Sequence, residues 1–219
     1  MSGDSIFRLA LDGKWDLDDL SELPRDVKQV YSFEYAVSDE TRFSFHQMAE
    51  LRIPPPLRGG YSYVNFYRGL YTGIPIQHRP SIHRIEYSSP GVLDLLTFFA
   101  VANGLIFVAR HFLKLADEAI DTFDKADRFL TNRGLRRRES RRDAEQEFSD
   151  ADEREAKRLA FEVAKELQIP SHKVEELQGF TGEWVGTLKL LLAHKRRVER
   201  LAEYHFEGKI DLNRSGPVD

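Results

Sequence analysis

Residues 81–130 read SIHRIEYSSPGVLDLLTFFAVANGLIFVARHFLKLADEAIDTFDKADRFL, and this stretch decides the fold that the sequence predicts. Its first seven residues predict a short strand that ends at the turn SSPG. Ser89 is then a suitable N-cap, and Pro90 suits the first helical position, where a missing N–H leaves no intrahelical bond unmade. The apolar residues that follow recur at alternating spacings of three and four up to Phe123. This heptad pattern predicts one long helix over residues 90–130.

The predicted long helix is about 60 Å long at a rise of about 1.5 Å per residue. No three-stranded sheet is that long, so the distal half of the helix must pack against other helices or against a second chain. The apolar positions expected to form this oligomer or bundle seam are Leu95, Phe99, Ile106, Leu113, Ile120 and Phe123. The sequence leaves the two arrangements open, because a heptad seam serves within a bundle and between chains.

The chain before residue 81 predicts a small layer of strands and short helices. Residues 6–11 alternate as a strand, and Asp16 is placed to cap a short helix that gives way to a second turn system at Pro24. Residues 27–37 fit either a helix or a strand, since their apolar positions satisfy both periods.

Residues 41–53 have the clearest strand pattern in the chain, with one apolar face and one polar face, and three prolines end it. A strand with a polar face is typical of an antiparallel or edge position. Residues 61–72 then predict a short aromatic helix that ends before Gly73. Two further helices are predicted after the long one, over residues 150–168 and 173–206, and Gly179, Gly182 and Gly186 leave open an early break in the second of these.

Together these patterns predict an α+β protein with a small mixed or antiparallel sheet and short helices, fused through one long helix to a C-terminal helical bundle. The expected parts are an α+β head (1–100), a long connecting helix (90–132), a charged linker (133–149), C-terminal helices (150–208) and a flexible tail (209–219).

The composition describes a globular chain with a highly charged surface. Its 219 residues include 41% hydrophobic and 31% charged side chains, and its net charge is −4. This balance gives no overall attraction to nucleic acid. The absence of cysteine excludes disulfides, thiolate metal sites and cysteine nucleophiles. An acidic N-terminus without an apolar leader predicts, with the missing cysteines, a cytoplasmic protein.

The most apolar stretch, residues 95–109, raises the question of a membrane. It is about 15 residues long, whereas a membrane span needs about 20. We therefore expect a buried helix and no membrane association. The seven histidines form no HxH, HxxxH or HExxH pattern, so neither a metal nor another cofactor is predicted.

The turn at residues 88–91 is a candidate anion site. If a strand leads here into a helix N-terminus, the free amides and the helix dipole favour a phosphate. The residues expected to contribute are Ser88, Ser89, Gly91, Arg79 and Arg84. The turn lacks the glycines and the lysine of the specific nucleotide loops, and plain helix capping explains the same residues.

His83, Tyr87 and Ser88 offer a third kind of chemistry. A histidine, a tyrosine and a serine held close together serve acid–base catalysis. His83 and Tyr87 share a face of the strand if the strand is regular. No carboxylate stands at a spacing that would orient the histidine, so the favoured interpretation is an ordinary strand surface.

Charge is segregated into blocks after the long helix. Residues 133–142 hold six arginines and one glutamate, whereas residues 143–155 hold seven acids and one arginine. The arginines expected to contact nucleic acid or an acidic partner are Arg133, Arg136, Arg137, Arg138, Arg141 and Arg142. The block lacks interleaved aromatic side chains for base stacking, so a solvated linker neutralised by the following acids is the competing interpretation.

The leading functional hypothesis is a non-catalytic protein-interaction or assembly module. It forms oligomers through its long helix, with itself or another protein as the partner. This hypothesis rests on the seam and the charge blocks, and on the absence of every specific catalytic pattern. The alternative is a phosphate-centred binder of nucleic acid or nucleotide that uses residues 88–91 and 133–142. A third hypothesis is a hydrolase or transferase around His83.

Overall fold

Four strands and seven helices make up the part of the chain that the structure describes. The computed structural model describes residues 4–45, 63–88, 90–115, 117–133 and 148–218. In chain order the elements are β1 (Asp4–Leu11), α1 (Leu17–Val37), α2 (Tyr63–Gly73), a 3₁₀ turn (Ile76–His78), β2 (Ser81–Glu86), β3 (Gly91–Phe98), α3 (Phe99–Phe112), α4 (Asp117–Asn132), α5 (Asp150–Glu166), α6 (Ser171–Thr181), α7 (Trp184–Phe206) and β4 (Ile210–Val218).

The chain divides into two compact units, each built from separate stretches of sequence. The first unit comprises Met1–Arg42, Ile74–Lys114 and Arg196–Asp219, and the second comprises Phe43–Gly73 and Leu115–Lys195. The sheet belongs to the first unit. The second unit is helical in the residues that the structure describes.

The sheet of the first unit is antiparallel throughout, with the strand order β2-β3-β1-β4. This confirms the predicted α+β class and the two strands predicted at residues 6–11 and 81–87. In the central pair, Phe7 lies opposite Leu95 and Leu9 lies opposite Leu93. All four of these side chains are buried.

Helices α1 and α3 complete the core of the first unit. Helix α3 contacts β4, β1 and β3, and it also packs against α1. Tyr31 of α1 ties the 3₁₀ turn to the sheet, because its hydroxyl donates to the His78 carbonyl at 2.7 Å and accepts from the Phe98 amide at 3.1 Å. Tyr35 adds a hydrogen bond of 2.7 Å to the ring of His78, which stacks on Phe98.

Helix α1 settles the ambiguity at residues 27–37, which are helical. Asp16 is its N-cap, as predicted, and Asp19 completes a capping box by accepting from the Asp16 amide. The expected turn at Pro24 is wrong, because Pro24 lies inside this helix. Nearly continuous burial from Val27 to Val37 supplies the packing energy that outweighs the lost hydrogen bond.

The long helix predicted at residues 90–132 is replaced by three elements: β3, α3 and α4. Pro90 precedes a strand, and Ser89, the expected N-cap, lies outside the described residues. The error has a clear physical cause: an apolar run with both faces buried is compatible with a central strand and with a buried helix. Pairing with β1 on one side and β2 on the other decides for the strand.

The tail expected to be flexible, residues 209–219, instead forms strand β4 beside β1. Ile210 and Leu212 are buried in the core. Between them and Gly216 the register shifts, and Ser215 bridges the irregularity by accepting from the Ala10 amide at 3.0 Å.

Arg110 of α3 holds this irregular part of β4 in place. Its guanidinium donates to the carbonyls of Leu212 at 2.8 Å, Asn213 at 2.9 Å and Ser215 at 2.6 Å. These three carbonyls belong to the residues that lie between the two paired parts of the strand. One side chain therefore provides hydrogen bonds that the ladder does not.

The second unit contains α2, α4, α5, α6 and the first part of α7. Phe45, Phe66 and Phe180 form an aromatic cluster, with ring centroids 6.0 Å apart for Phe66 and Phe180. Helix α4 packs against α5, and α5 packs against α6. The predicted helices at 61–72 and 150–168 are confirmed.

The helix predicted at residues 173–206 is two helices. Gly182 ends α6 with a φ of 77°, a left-handed conformation in which glycine has no steric penalty. Glu153 then caps α7, accepting from the Trp184 amide at 2.6 Å and the Val185 amide at 3.2 Å.

Two further expectations concern residues 41–53 and a membrane. Residues 41–45 are not in a strand, and residues 46–53 lie outside the described residues. Among the helices that the structure describes, none has the length and apolar character that a membrane crossing requires.

Candidate interaction surface

Strand β2 is an edge strand whose six residues are all exposed. It pairs with β3 on one side, and among the described residues no strand pairs with its other side. The side chains of Ile82 and Ile85 are 61% and 53% exposed, although both are apolar. An edge strand that leaves its backbone groups and apolar side chains open is a template for pairing with another chain.

The two isoleucines lie on the same face of the sheet. Ile82 is opposite Leu95 and Ile85 is opposite Leu93, on the face that also carries the buried core. This placement requires an irregularity, since residues three apart point to opposite faces of a regular strand. The register shift between Ile82 and Arg84 supplies it.

On this face the edge strand and helix α1 enclose an apolar cleft of about 180 Å³. Pro24 and Val27 form its helical wall, and Ile82, Leu93 and Leu95 form its floor.

A second concavity lies beside Tyr87 at the start of α1. Its lining includes Trp15, Asp16, Leu17 and Leu20, and the side chain of Leu17 is 84% exposed. The apolar surface therefore continues from β2 onto α1. We call it the edge surface, and its members are Leu17, Leu20, Pro24, Ile82, Ile85 and Tyr87.

Two hydrogen-bonded contacts hold the Tyr87 end of the edge surface. The Tyr87 hydroxyl accepts from the Trp15 amide at 3.1 Å, and the Trp15 ring stacks on Tyr204 with centroids 6.0 Å apart. The Trp15 ring also donates to the Asp12 carbonyl at 2.8 Å. Burial raises the pKa of Tyr204 to about 12, so this partner stays neutral at physiological pH. These contacts within the chain fix the positions of Tyr87 and Trp15 without any partner.

The opposite face of the sheet carries charge beside the same strand. Arg8 donates twice to Asp94, each time at 2.7 Å, and Asp94 is buried beneath it. These hydrogen bonds hold the pKa of Asp94 below its ordinary value. Arg84, which lies opposite Asp94 on β2, forms an ion pair with Glu86 two residues along its own strand.

The turn predicted to bind an anion is a hairpin between β2 and β3, so the helix N-terminus on which that prediction rests is absent. Ser88 donates its hydroxyl hydrogen to the Pro90 carbonyl at 2.7 Å. Arg79 donates to the Ile74 carbonyl at 2.9 Å, and Arg84 binds Glu86. Ser89 lies outside the described residues. The structure thus gives these side chains other partners.

Gly91 has a steric role in this hairpin. A Cβ atom at this position would lie 2.5 Å from the Glu86 carbonyl oxygen and 2.7 Å from the Ser88 carbonyl oxygen. Both atoms belong to the backbone, so a side chain here forces the hairpin itself to move.

We expect G91A to destabilise the protein by about 1–3 kcal/mol, because the added methyl group overpacks against the backbone. Urea unfolding followed by circular dichroism measures this loss. The matched control is G104A in helix α3, where the nearest atom to an added Cβ is a carboxylate oxygen at the end of the Glu34 side chain, at 3.3 Å, and not a backbone atom. We expect G104A to be neutral or stabilising by up to about 1 kcal/mol, since alanine is the better helix former. Equal midpoints for both variants would contradict the steric assignment.

The proposed catalytic grouping of His83, Tyr87 and Ser88 receives no geometric support. The described hydrogen bonds of Tyr87 and Ser88 go to Trp15 and Pro90. His83 lies at the register shift of an exposed strand.

The arginine block lies almost wholly outside the described residues, which leave out 134–147. Arg136, Arg137, Arg138, Arg141 and Arg142 fall in that gap. Arg133 is described, and it forms an ion pair with Asp152 at 3.3 Å.

The six seam residues do not form one stripe. Leu95 lies in a strand, Phe99 and Ile106 lie in α3, Leu113 follows α3, and Ile120 and Phe123 lie in α4. Leu95, Ile106 and Phe123 are buried, whereas Phe99 and Ile120 are exposed. The single helical stripe on which the predicted oligomer or bundle seam rests is therefore absent, because five of its members lie in three different elements, Leu113 follows α3, and the six are divided between both units.

Within the described residues, no three acidic or histidine side chains are grouped so as to hold a metal ion. Comparison with known proteins adds nothing to the geometry: no family model, no curated protein and no solved structure matches this chain. The edge surface is thus the feature on which a functional argument has to rest.

The sequence predicted strand β2 and favoured a surface position for His83 and Tyr87, but it did not predict the exposure of Ile82 and Ile85. The signal was present in Pro80 and Pro90, since prolines on both sides of a short strand are typical of an edge. The exposure of Leu17 and Leu20 carried no such signal, because both fit the apolar stripe of an ordinary buried helix.

Proposed function

We propose that this protein is a non-catalytic interaction module that assembles with protein through its edge surface. The observation that carries the proposal is strand β2, which is exposed over its whole length and presents isoleucines beside an apolar cleft. Strand pairing supplies backbone hydrogen bonds, and the cleft supplies a place for apolar side chains.

An exposed strand edge of this kind promotes aggregation with other chains, and proteins normally protect it. Short strands, charges, prolines and bulges are the usual devices, and a covering helix or loop is another. Strand β2 has several of these devices: the register shift between Ile82 and Arg84, the charges of Arg84 and Glu86, and a proline before and after the strand. Its isoleucines remain open nonetheless, which favours a surface that is covered by a partner.

The proposal differs from the one that the sequence alone favoured. That hypothesis placed oligomerisation on a long helical seam, and the seam is absent. Assembly is now assigned to an edge strand and to the first half of α1, both of which belong to the first unit.

Site-specific photo-crosslinking in cells tests this proposal. A photoreactive amino acid is placed at Ile82 or Ile85 in the full chain, and the matched control position is Phe107, which is 58% exposed on α3. We expect protein adducts at the two strand positions and none at Phe107. The adducted protein, identified by mass spectrometry, should no longer co-purify with the I85D variant.

Two outcomes contradict the proposal. One is the absence of protein adducts at both strand positions. The other is adduct formation at Phe107 as efficient as at Ile82, since adducts that do not depend on position report collisions and not a binding surface.

A further inference from the structure

We infer that the partner of strand β2 is a second copy of the same chain, paired antiparallel about a two-fold axis at Ile85. This inference rests on the proposed function and names its partner. Two sheets of four strands then join into one continuous antiparallel sheet, with the two β2 strands adjacent.

The charge pattern of β2 is complementary to itself in this arrangement. Arg84 and Glu86 stand on either side of Ile85 and share the face opposite the core. When Ile85 lies opposite Ile85 of the second copy, each Arg84 lies opposite Glu86 of the other. Two opposite-charge cross-strand pairs therefore form on one face, and an isoleucine pair forms on the other.

The neighbouring registers are disfavoured by the same charges. A two-fold axis normal to the sheet keeps each face on its own side, so the register can move only in steps of two residues. A shift in one direction places Arg84 opposite Arg84, and a shift in the other places Glu86 opposite Glu86. Like charges directly opposite one another are destabilising, so one register is selected.

The apolar surfaces at the two ends of β2 also match. Near Ile82 the edge surface continues through Pro80 and Pro24, and near Tyr87 it continues through Leu17 and Leu20. Antiparallel pairing brings the Ile82 end of one copy against the Tyr87 end of the other. Exposed apolar side chains are thereby covered at both ends of the joint.

Helix α1 adds charge complementarity on the same face. It runs opposite to β2, since its first residues line the Tyr87 concavity and Lys28 lines the cleft at Ile82. Asp16 and Asp18 are exposed at its first end, and Lys28 is exposed further along. The two-fold axis directs the acidic end of each α1 toward the Lys28 end of its copy, which favours this partner over an unrelated chain.

Charge reversal followed by mixing tests the register. R84E places two carboxylates opposite each other at both cross-strand pairs, and E86R places two guanidinium groups there. We expect each variant alone to dimerise about tenfold more weakly than the wild type, as measured by sedimentation equilibrium from about 5 to 500 μM. An equimolar mixture should regain wild-type association, because both pairs of the heterodimer then carry opposite charges.

The matched control is the exposed Arg128–Asp124 ion pair on α4, with R128E and D124R treated in the same way. These variants should associate as the wild type does. A wild-type chain that stays monomeric throughout overturns the inference, and so does a dimer that R84E leaves unchanged. A mixture that fails to regain association overturns the register.

Cysteine trapping provides a second, independent test, because the chain has no cysteine of its own. In the inferred register I85C places two thiols directly opposite each other, at the separation that a disulfide needs. I82C, on the same face and similarly exposed, lies away from the two-fold axis, opposite Tyr87 of the second copy, and serves as the control. We expect I85C to form interchain disulfides at least tenfold faster than I82C under mild oxidation. Equal rates contradict the two-fold axis at Ile85.

The two proposals fail separately. Crosslinking at Ile82 and Ile85 to a different protein, with the wild type monomeric in solution, overturns self-pairing and leaves the proposed function standing. The absence of adducts at both positions overturns the proposed function itself.

Discussion

Removal of residues 210–219 is expected to abolish the fixed tertiary structure of the first unit. The truncated chain loses strand β4, whose Ile210 and Leu212 are buried in the core. Burial of two such side chains contributes roughly 3–6 kcal/mol. That amount is comparable to the whole stability of a small domain, about 5–15 kcal/mol, before the lost strand pairing is counted. Loss of near-UV circular dichroism and rapid proteolysis within residues 4–45 would show the effect.

A shorter truncation is the matched control for this experiment. Removal of residues 216–219 deletes the second paired part of β4 and keeps Ser215 and the carbonyls that Arg110 binds. None of residues 216–218 is fully buried. We expect this variant to remain folded with a modest loss of stability. If the longer truncation keeps the near-UV spectrum and the unfolding midpoint of the full chain, then β4 is not part of the cooperative fold.

Replacement of Arg110 by alanine is expected to destabilise the protein by about 2–4 kcal/mol, because three backbone carbonyls lose a charged donor. The bonds to Leu212, Asn213 and Ser215 hold the part of β4 where the ladder with β1 is interrupted. Urea unfolding gives the free energy change. Hydrogen exchange at the Ala10 amide, which donates to the Ser215 hydroxyl, gives a local readout of the same loss.

Two variants are the controls for R110A: a lysine at the same position, and an alanine at the distant Arg128. R110K keeps the charge but lacks the planar group that reaches several carbonyls at once, so we expect an intermediate loss. R128A removes an arginine whose side chain is 75% exposed, and a change below about 0.5 kcal/mol is expected there. An R110A variant with the urea midpoint of the wild type and unchanged exchange at Ala10 would refute the assignment.

Strand β2 contributes to the stability of the fold and also carries the surface that we propose for binding. Strand β2 pairs with β3 on one side. Its other side is the one that we infer pairs with β2 of a second copy. Gly91 and the Arg8–Asp94 pair act on the shared side. Arg84 and Glu86 act on the open side, where their reversal is expected to change association more than folding.

Local signals were sufficient for several elements. Asp16 and Ser149 are N-caps that accept from the backbone amide three residues on, and the helices they begin were predicted close to their observed starts. Strand β1 was predicted from the alternation of Phe7, Leu9 and Leu11, which do share the buried face. In these cases the deciding interactions lie within a few residues of one another.

The features that the sequence did not predict depend on residues that are far apart in the chain. Residues 92–98 form an apolar run that suits a buried helix and a central strand, and the choice depends on β1, with Phe7 lying opposite Leu95. The exposure of Ile82 and Ile85 is likewise not determined by residues 81–86 themselves, although the prolines on both sides of the strand are typical of an edge. It depends on β2 being at the edge of the sheet, and no property of residues 81–86 states which side of the strand is left open.

The sequence by itself determined the α+β class, the capped start of helix α1, helix α5 and the strands β1 and β2, since caps and short periodicities act over a few residues. Only the tertiary structure decided that residues 91–98 are a strand, that residues 210–218 close the sheet and that β2 has an open side. The reason is distance along the chain: the Ala10 amide reaches its partner on Ser215 across 205 residues, and no local pattern encodes such a pairing.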